Sequence, residues 1–422
     1  MSQDIKTLPR EKLEALIRAF ELISSSFNPE EVLKIVLEQI SKLLNAEAGS
    51  IFLLDERTNE LQLKYATNLT NEEKKGITVP LGKGLAGYVA EKGEILNIKD
   101  VMEDNRFFSQ IDEITGFKTR NILTVPLKNS EKIIGVLQAL NKKNQSSFTE
   151  EDEILSMEFS RLVGLTLEKI YLHAQLLEKK SIETDLMIAN SIQNLMLPSS
   201  DLIIKNTYIR GYYKPANYVG GDYYDYFQVD ENKILVVLAD VSGKGAQASL
   251  IMMSVKAYLS SAIESNLNFI TISNKLNKFL AAHTPTDKFI TIFLGLIDLQ
   301  QNKIQYINSG HDPALIITNN GEVIELKSNN IVMGVLDDFE FISSETAFPN
   351  NSFLFTYSDG LTEAHNHSNQ VFGFENLKKV LLENKNYPLN LFQILPEKIF
   401  EHASGREQFD DMTFLIVVRN LI

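Results

Sequence analysis

Four acidic words punctuate the second half of this chain, each beside an apolar run or a glycine turn. They are Gly220-Gly221-Asp222-Tyr223-Tyr224-Asp225, Ala239-Asp240-Val241-Ser242-Gly243, Ser358-Asp359-Gly360 and Asp410-Asp411-Met412-Thr413. They constrain the fold because the apolar runs among them, such as Ile234 to Ala239 and Phe289 to Ile297, are strand-length and read as buried sheet. Carboxylates carried at the ends of buried strands converge against their own repulsion, and bound divalent cations commonly relieve it. A hydrolytic site holding two metal ions is therefore expected. For any single aspartate the competing reading is a turn or strand-end carboxylate, but that reading accounts poorly for all four words together.

At 422 residues the chain should form two or three domains, each with its own core. Its formal net charge of -14 disfavours nucleic acid and anionic membrane as partners, since both call for basic surfaces. With no cysteine, disulfides, thiolate metal sites and a thiolate nucleophile are excluded, so phosphate chemistry would have to rest on metal or another nucleophile. The N-terminus lacks a basic segment followed by an apolar core, and no run approaches the length of a membrane span, so a soluble, cytoplasmic protein is expected.

The first half reads as α+β. Apolar residues at helical spacing over 12 to 26 are followed by Asn28-Pro29-Glu30-Glu31, which supplies a cap, a first-turn proline and favourable carboxylates for a second helix. A hairpin follows, with Gly49 to Leu54 and Glu60 to Tyr65 flanking a polar turn. From Leu162 to Leu197 there is no proline, and Leu162, Leu165, Leu172, Leu176, Ile182, Leu186, Ala189, Ile192 and Met196 form one apolar helical seam ended by Pro198. Such a stripe could pack on a flanking domain or pair with a second copy. From residue 203 onward the pattern is strand-rich, with helical stretches at Ala246 to Ser261 and Phe269 to Ala282 between the second and third acidic words.

Two resemblances join these readings. The segments Val79-Pro80-Leu81-Gly82-Lys83-Gly84-Leu85-Ala86-Gly87, Arg120-Asn121-Ile122-Leu123-Thr124-Val125-Pro126-Leu127 and Ile133-Ile134-Gly135-Val136-Leu137-Gln138-Ala139-Leu140 resemble a GAF domain. Within it Asn141, Lys142, Phe148, Asp152 and Glu153 match the pattern of GAF domains that bind cyclic nucleotides, which implies a possible small-molecule ligand. The bland alternative is that Asn141 ends a strand, Phe148 plugs the core and the two carboxylates begin a helix.

The acidic words, with Asp240-Val241-Ser242-Gly243-Lys244-Gly245, Asn308-Ser309-Gly310-His311-Asp312-Pro313 and Tyr357-Ser358-Asp359-Gly360-Leu361-Thr362-Glu363-Ala364 in order, resemble metal-dependent Ser/Thr phosphatases of the SpoIIE and RsbU type, in the PPM/PP2C superfamily. The expected organisation is a GAF sensor over 12–161, a helical coiled-coil linker over 162–198 and a phosphatase over 199–422. The expected fold class is α+β multidomain, with a GAF α/β sandwich, a long linker helix and a PP2C-like β-sandwich flanked by helices.

The resemblance implies two divalent ions, Mn2+ or Mg2+, in keeping with hard oxygen donors. It makes Asp240 the bridging carboxylate with the Val241 carbonyl beside it, Asp222 a ligand near the first ion, and Asp359 and Asp410 ligands of the second. Asp411, the position after the last ligand, is also counted among the metal ligands implied by the resemblance, directly or through water. Catalytic roles fall on Asp222, Asp240, Asp359 and Asp410. His311 is read as a turn residue or a hydrogen-bond donor supporting the site, outside the catalytic set. Where larger relatives hold phosphate with an arginine before the first aspartate, this chain has Lys214-Pro215-Ala216-Asn217, so the clamp is unassigned.

The implied partners are a phosphorylated protein, by family analogy a STAS-type anti-sigma-factor antagonist, and a second copy paired through the linker and GAF domain. A ligand-binding scaffold whose phosphatase half is inactive is the alternative.

Overall fold

The computed structural model describes residues 8–70, 72–109, 112–113, 116–130, 132–143, 147–265 and 267–420. It divides into two compact units, Met1–Lys180 and Ser181–Ile422.

The first unit contains α1 (Arg10–Ser25), α2 (Pro29–Leu43), β1 (Ala46–Asp55), β2 (Glu60–Ala66), β3 (Thr78–Pro80), α3 (Gly84–Lys92), β4 (Leu96–Ile98), β5 (Ile122–Lys128), β6 (Ile133–Lys142) and the start of α4 (Glu150–Met196). Asn28 caps α2 as its sequence predicts, accepting the Glu30 amide at 3.0 Å with Pro29 in the first turn. The strands form one sheet in the order β3-β2-β1-β6-β5-β4. One face buries Ile51, Val125 and Leu137 against Val36 and Ile40 of α2 and Phe159 of α4, while the other buries Phe52, Leu61 and Val136 against Val89 of α3. That two-sided burial is the physical content of an α/β sandwich.

Helix α4 runs for 47 residues without a break, starting before the apolar seam read from the sequence. Leu172, Leu176 and Ile182 of the seam, and Leu177, Met187 and Ile188 beside it, are all more than half exposed.

The second unit continues with β7 (Leu202–Ile204), β8 (Thr207–Lys214), β9 (Tyr223–Gln228), β10 (Lys233–Val241), α5 (Ala246–Glu264), α6 (Phe269–His283), β11 (Ile290–Asp298), β12 (Lys303–Ser309), β13 (Ala314–Thr318), β14 (Val323–Leu326), β15 (Ser344–Ala347), β16 (Ser352–Tyr357), α7 (Phe374–Glu383), α8 (Leu391–Ala403) and β17 (Met412–Arg419). Two antiparallel sheets result, β15-β12-β11-β10-β9 and β14-β13-β16-β17-β8-β7.

Strand β17 shows why they stack. Leu415 and Val417 join the core shared with β10, β11 and α5, while Met412, Phe414, Ile416 and Val418 join the cluster with α7 and α8. Alternate residues face opposite layers, so a strand buried on both faces reads as a continuous apolar run. Helices thus flank the sandwich, and the fold class expected from the sequence stands. Sequence periodicity passed over α7 and α8. Pro396 lies inside α8, where a proline normally costs a helix about 3 kcal/mol, yet buried Leu391, Leu395 and Ile399 hold that helix on the sheet.

Candidate active site

All four acidic words end at one edge of this sandwich. Asp240 is the penultimate residue of β10, opposite Thr291 of β11, and Asp222 immediately precedes β9, which pairs with β10. Asp359 follows β16 by two residues, and Asp410 and Asp411 immediately precede β17, which pairs with β16. The sheet register therefore converts words far apart in sequence into neighbours.

Asp222 is buried, and its carboxylate accepts a hydrogen bond from the Thr413 hydroxyl. Burial, then the charges of Asp240 and Asp411, hold its pKa well above the carboxylate range. Asp240 is pushed to about 7 by burial and by Asp359, Asp410 and Asp411. Asp359 rises to about 6 through burial and the nearby Asp410, with the Lys244 ammonium opposing. The Val241 carbonyl faces the Gly221-Asp222 turn, where a β-carbon on Gly221 would approach it to 3.0 Å.

Asp411 also holds a loop in place. Its carboxylate accepts the amides of Ala216 at 2.8 Å and Gly221 at 2.7 Å, tying down the loop that carries Asp222. Two glycines permit this crowding. A β-carbon on Gly220 would lie 2.1 Å from the Asp411 carboxylate, and one on Gly360 would lie 1.9 Å from the Asp411 carbonyl.

Several partners lie inside the sequence words without having been assigned a role. Lys244 pairs with Asp410 at 2.9 Å, and Thr413 engages Asp222. The signal was available in both cases, a cation following the second word and a hydroxyl closing the fourth. Asp225 is buried and ion-paired with Lys256 of α5, while also accepting the Tyr223 hydroxyl at 2.6 Å. His311 is buried, shares a 2.8 Å hydrogen bond with Thr291, and is driven down to about 4 by burial, so it stands neutral beside the cross-strand neighbour of Asp240.

The donor set fits a hard divalent cation in chemistry, being buried carboxylate and carbonyl oxygen with mutual repulsion to relieve. Among the described residues, no three His, Asp or Glu side chains are drawn into a closed metal cage.

In the first unit, the five residues of the nucleotide-type pattern are bound to their own surroundings. Lys142 pairs with buried Asp152 at 2.7 Å, and Asp152 with Thr149 makes reciprocal side-chain bonds to backbone amides at the start of α4. Asn141 accepts the Arg120 amide and donates to Glu47 and to the Lys118 carbonyl. Glu153 accepts from Asn97, and Phe148 is buried in the core. None of the five lines the nearby cavity of about 80 Å³ bounded by Phe52, Leu63, Phe107, Phe117 and Gln138. These contacts support the structural alternative for the pattern.

A two-sheet sandwich flanked by helices, with carboxylates converging at one edge, is the architecture of the PP2C class. The SiaA-PP2C domain of Pseudomonas aeruginosa shares this fold, at 22% identity over 57% of this chain and 98% of that one, with a TM-score of 0.51. Residues 230–420 match the family described as Stage II sporulation protein E (SpoIIE), and residues 28–167 match the GAF domain. The chain therefore carries a GAF domain followed by a SpoIIE-type phosphatase-family domain.

Among curated relatives, Protein IcfG of Synechocystis is 27% identical over 256 residues, covering 54% of this chain and 40% of that protein. The dual 3',5'-cyclic-AMP and -GMP phosphodiesterase 11 of Drosophila melanogaster is 36% identical over 181 residues, covering 39% of this chain and 12% of that protein. The chain thus spans less than half the length of these relatives.

Proposed function

We propose that this protein is a GAF-regulated, metal-dependent phosphatase acting on phosphoserine or phosphothreonine in a protein. The observation that carries the reading is that Asp222, buried, and Asp240 and Asp359, partly buried, meet at one sheet edge, with pKa values raised by desolvation and by neighbouring carboxylates. A structural core has no use for that repulsion, and perturbed carboxylates of this kind mark functional sites.

In this reading Asp222, Asp240, the Val241 carbonyl, Asp359 and Asp410 hold two ions, manganese or magnesium, with Asp411 supporting the first loop. When bound, such ions supply Lewis acidity to water and to phosphoryl oxygens. The chain's own residues position the donors. Thr413 orients Asp222, the amides of Ala216 and Gly221 fix Asp411, and Lys244 brings a positive charge to Asp410.

The substrate by family analogy is a phosphorylated STAS-type anti-sigma-factor antagonist in a partner-switching pathway of the cytoplasm. We assign the sensor to 12–161, the linker to 162–198 and the phosphatase to 199–422. The exposed apolar side chains of α4 support pairing of two copies through this helix and the GAF domain, since large unpartnered apolar surfaces mark interfaces. The GAF cavity is the place for a small ligand. At about 80 Å³ it is, as it stands, well short of the roughly 300 Å³ at which ligand pockets begin. Among the described residues, no helix is long and apolar enough to cross a membrane.

The test is manganese-dependent phosphate release from a phosphoserine peptide and from a phosphorylated STAS protein, comparing wild type, Asp240→Asn and wild type with chelator. Release that disappears in both controls is expected. Absence of release from wild type, with and without candidate GAF ligands, would favour the scaffold alternative.

A further inference from the structure

Beside the carboxylate cluster lies a cavity of about 280 Å³ that shares Asp410 and Gly360 with it. Ile399, Phe400 and Ala403 of α8 with Phe409 and Met412 build its apolar side, while Glu363, His365, Arg406 and Glu407 bring charged and polar groups to the rest of the wall. Phe409, the residue next to Asp410, is 67% exposed. A large aromatic left open at the lip of a catalytic cluster lowers its free energy when something apolar covers it.

Two lysines stand on the aromatic walls. Lys244 lies 3.7 Å over the Phe409 ring while pairing with Asp410, and Lys214 lies 3.9 Å over the Phe400 ring. Gln408 fixes this lip, donating to the carbonyls of Lys214 at 2.9 Å and Asp410 at 2.8 Å. The cavity thus has an apolar side backed by two lysines that stand on its aromatic rings, and a rim of mixed charge. Its volume falls just below the range of about 300–1,000 Å³ usual for small-molecule sites, and Asp410 of the acidic cluster forms part of its wall.

We infer that this recess is the subsite for a single apolar side chain, of leucine or methionine size, standing close in sequence to the phosphorylated residue of the protein substrate. The inference rests on the phosphatase reading above and adds a specificity determinant to it. A polypeptide whose phosphate faces the aspartates passes the lip formed by Phe409. An apolar side chain there covers the exposed ring and enters the recess against Ile399 and Ala403. A phosphate ester without a flanking polypeptide has no neighbouring side chain to place in the recess.

The experiment uses the full chain with manganese. One set of phosphoserine peptides differs only by leucine against serine, walked through the positions on either side of the phosphoserine, and p-nitrophenyl phosphate serves as the substrate without a flanking chain. At one position leucine should raise kcat/KM by about tenfold or more, the discrimination an apolar pocket typically gives. Ala403→Phe, which fills the recess, and Phe409→Ala, which removes its exposed lip, should each bring that leucine-to-serine ratio toward one.

The ratio is taken on the same protein sample, so a partly unfolded variant does not distort it. Hydrolysis of p-nitrophenyl phosphate by wild type with no leucine preference at any position would overturn the subsite and leave the phosphatase reading intact. A preference that survives both substitutions would do the same. No hydrolysis of any substrate would overturn the phosphatase reading, and the subsite with it.

Discussion

Replacing Asp240 with asparagine should stabilise the metal-free protein and abolish its stabilisation by metal. In the fold the Asp240 carboxyl titrates near 7 against an ordinary 3.8, because it is buried and faces Asp359, Asp410 and Asp411. A carboxyl whose pKa is raised on folding favours the folded state while protonated. Its contribution is full below pH about 4, declines as pH rises toward 7, and is gone above.

The difference of roughly three pKa units corresponds to at most about 4 kcal/mol, at 1.36 kcal/mol per unit. Even half of that would move the transition of a unit of this size by about 4–8 °C. Calorimetry in chelator at pH 5 and pH 8 reads it directly. Wild type should lose stability between the two pH values, and Asp240→Asn should lose less and unfold at a higher temperature than wild type at pH 8. Adding manganese at pH 8 should raise the wild-type transition, since binding to the folded state alone adds stability by mass action, and should raise that of the variant far less. If asparagine lowers the pH 8 transition in chelator, or if manganese stabilises both proteins equally, the argument that repulsion at Asp240 is relieved by metal is refuted.

Other substitutions probe the scaffold around the site. Gly360→Ala would set a β-carbon 1.9 Å from the Asp411 carbonyl, and a forced shift of that kind should cost about 1–3 kcal/mol in denaturant unfolding. Lys256→Met leaves buried Asp225 without its ion-pair partner, so a loss of about 3–5 kcal/mol is expected. Asp225→Asn added to Lys256→Met should recover much of it, and additive losses would contradict the pairing. Leu176→Glu on the exposed face of α4 should halve the mass read by light scattering if two copies pair there, and an unchanged mass would remove that pairing.

Much of the site was legible because its chemistry is written in short words. Asp222 and Asp359 each adjoin a glycine, and Asp240 and Asp410 stand beside apolar strand-length runs, so the sequence marks all four as candidates. Lys244 and Thr413 sit inside those words without a role, since side-chain pairing with residues far away in the chain, 191 positions in the case of Thr413, leaves no local periodicity. Helix α8 was hidden by Pro396, because local propensity argues against a helix that burial of Leu391, Leu395 and Ile399 sustains. In the GAF domain the pattern of Asn141, Lys142, Phe148, Asp152 and Glu153 allows either a ligand site or a scaffold, with the scaffold reading favoured. The choice depends on which atoms meet, and Lys142 meets Asp152.

The sequence by itself determined most of the strands, the strand ends that bear carboxylates and the long apolar seam of α4, because burial periodicity and turn chemistry are local properties of the chain. The tertiary structure decided which carboxylates crowd one another, that Asp411 holds a loop by its amides, and that an apolar recess opens beside Asp410. Those are consequences of sheet register, which brings residues nearly two hundred positions apart within hydrogen-bonding distance, and no pattern within a single segment encodes them.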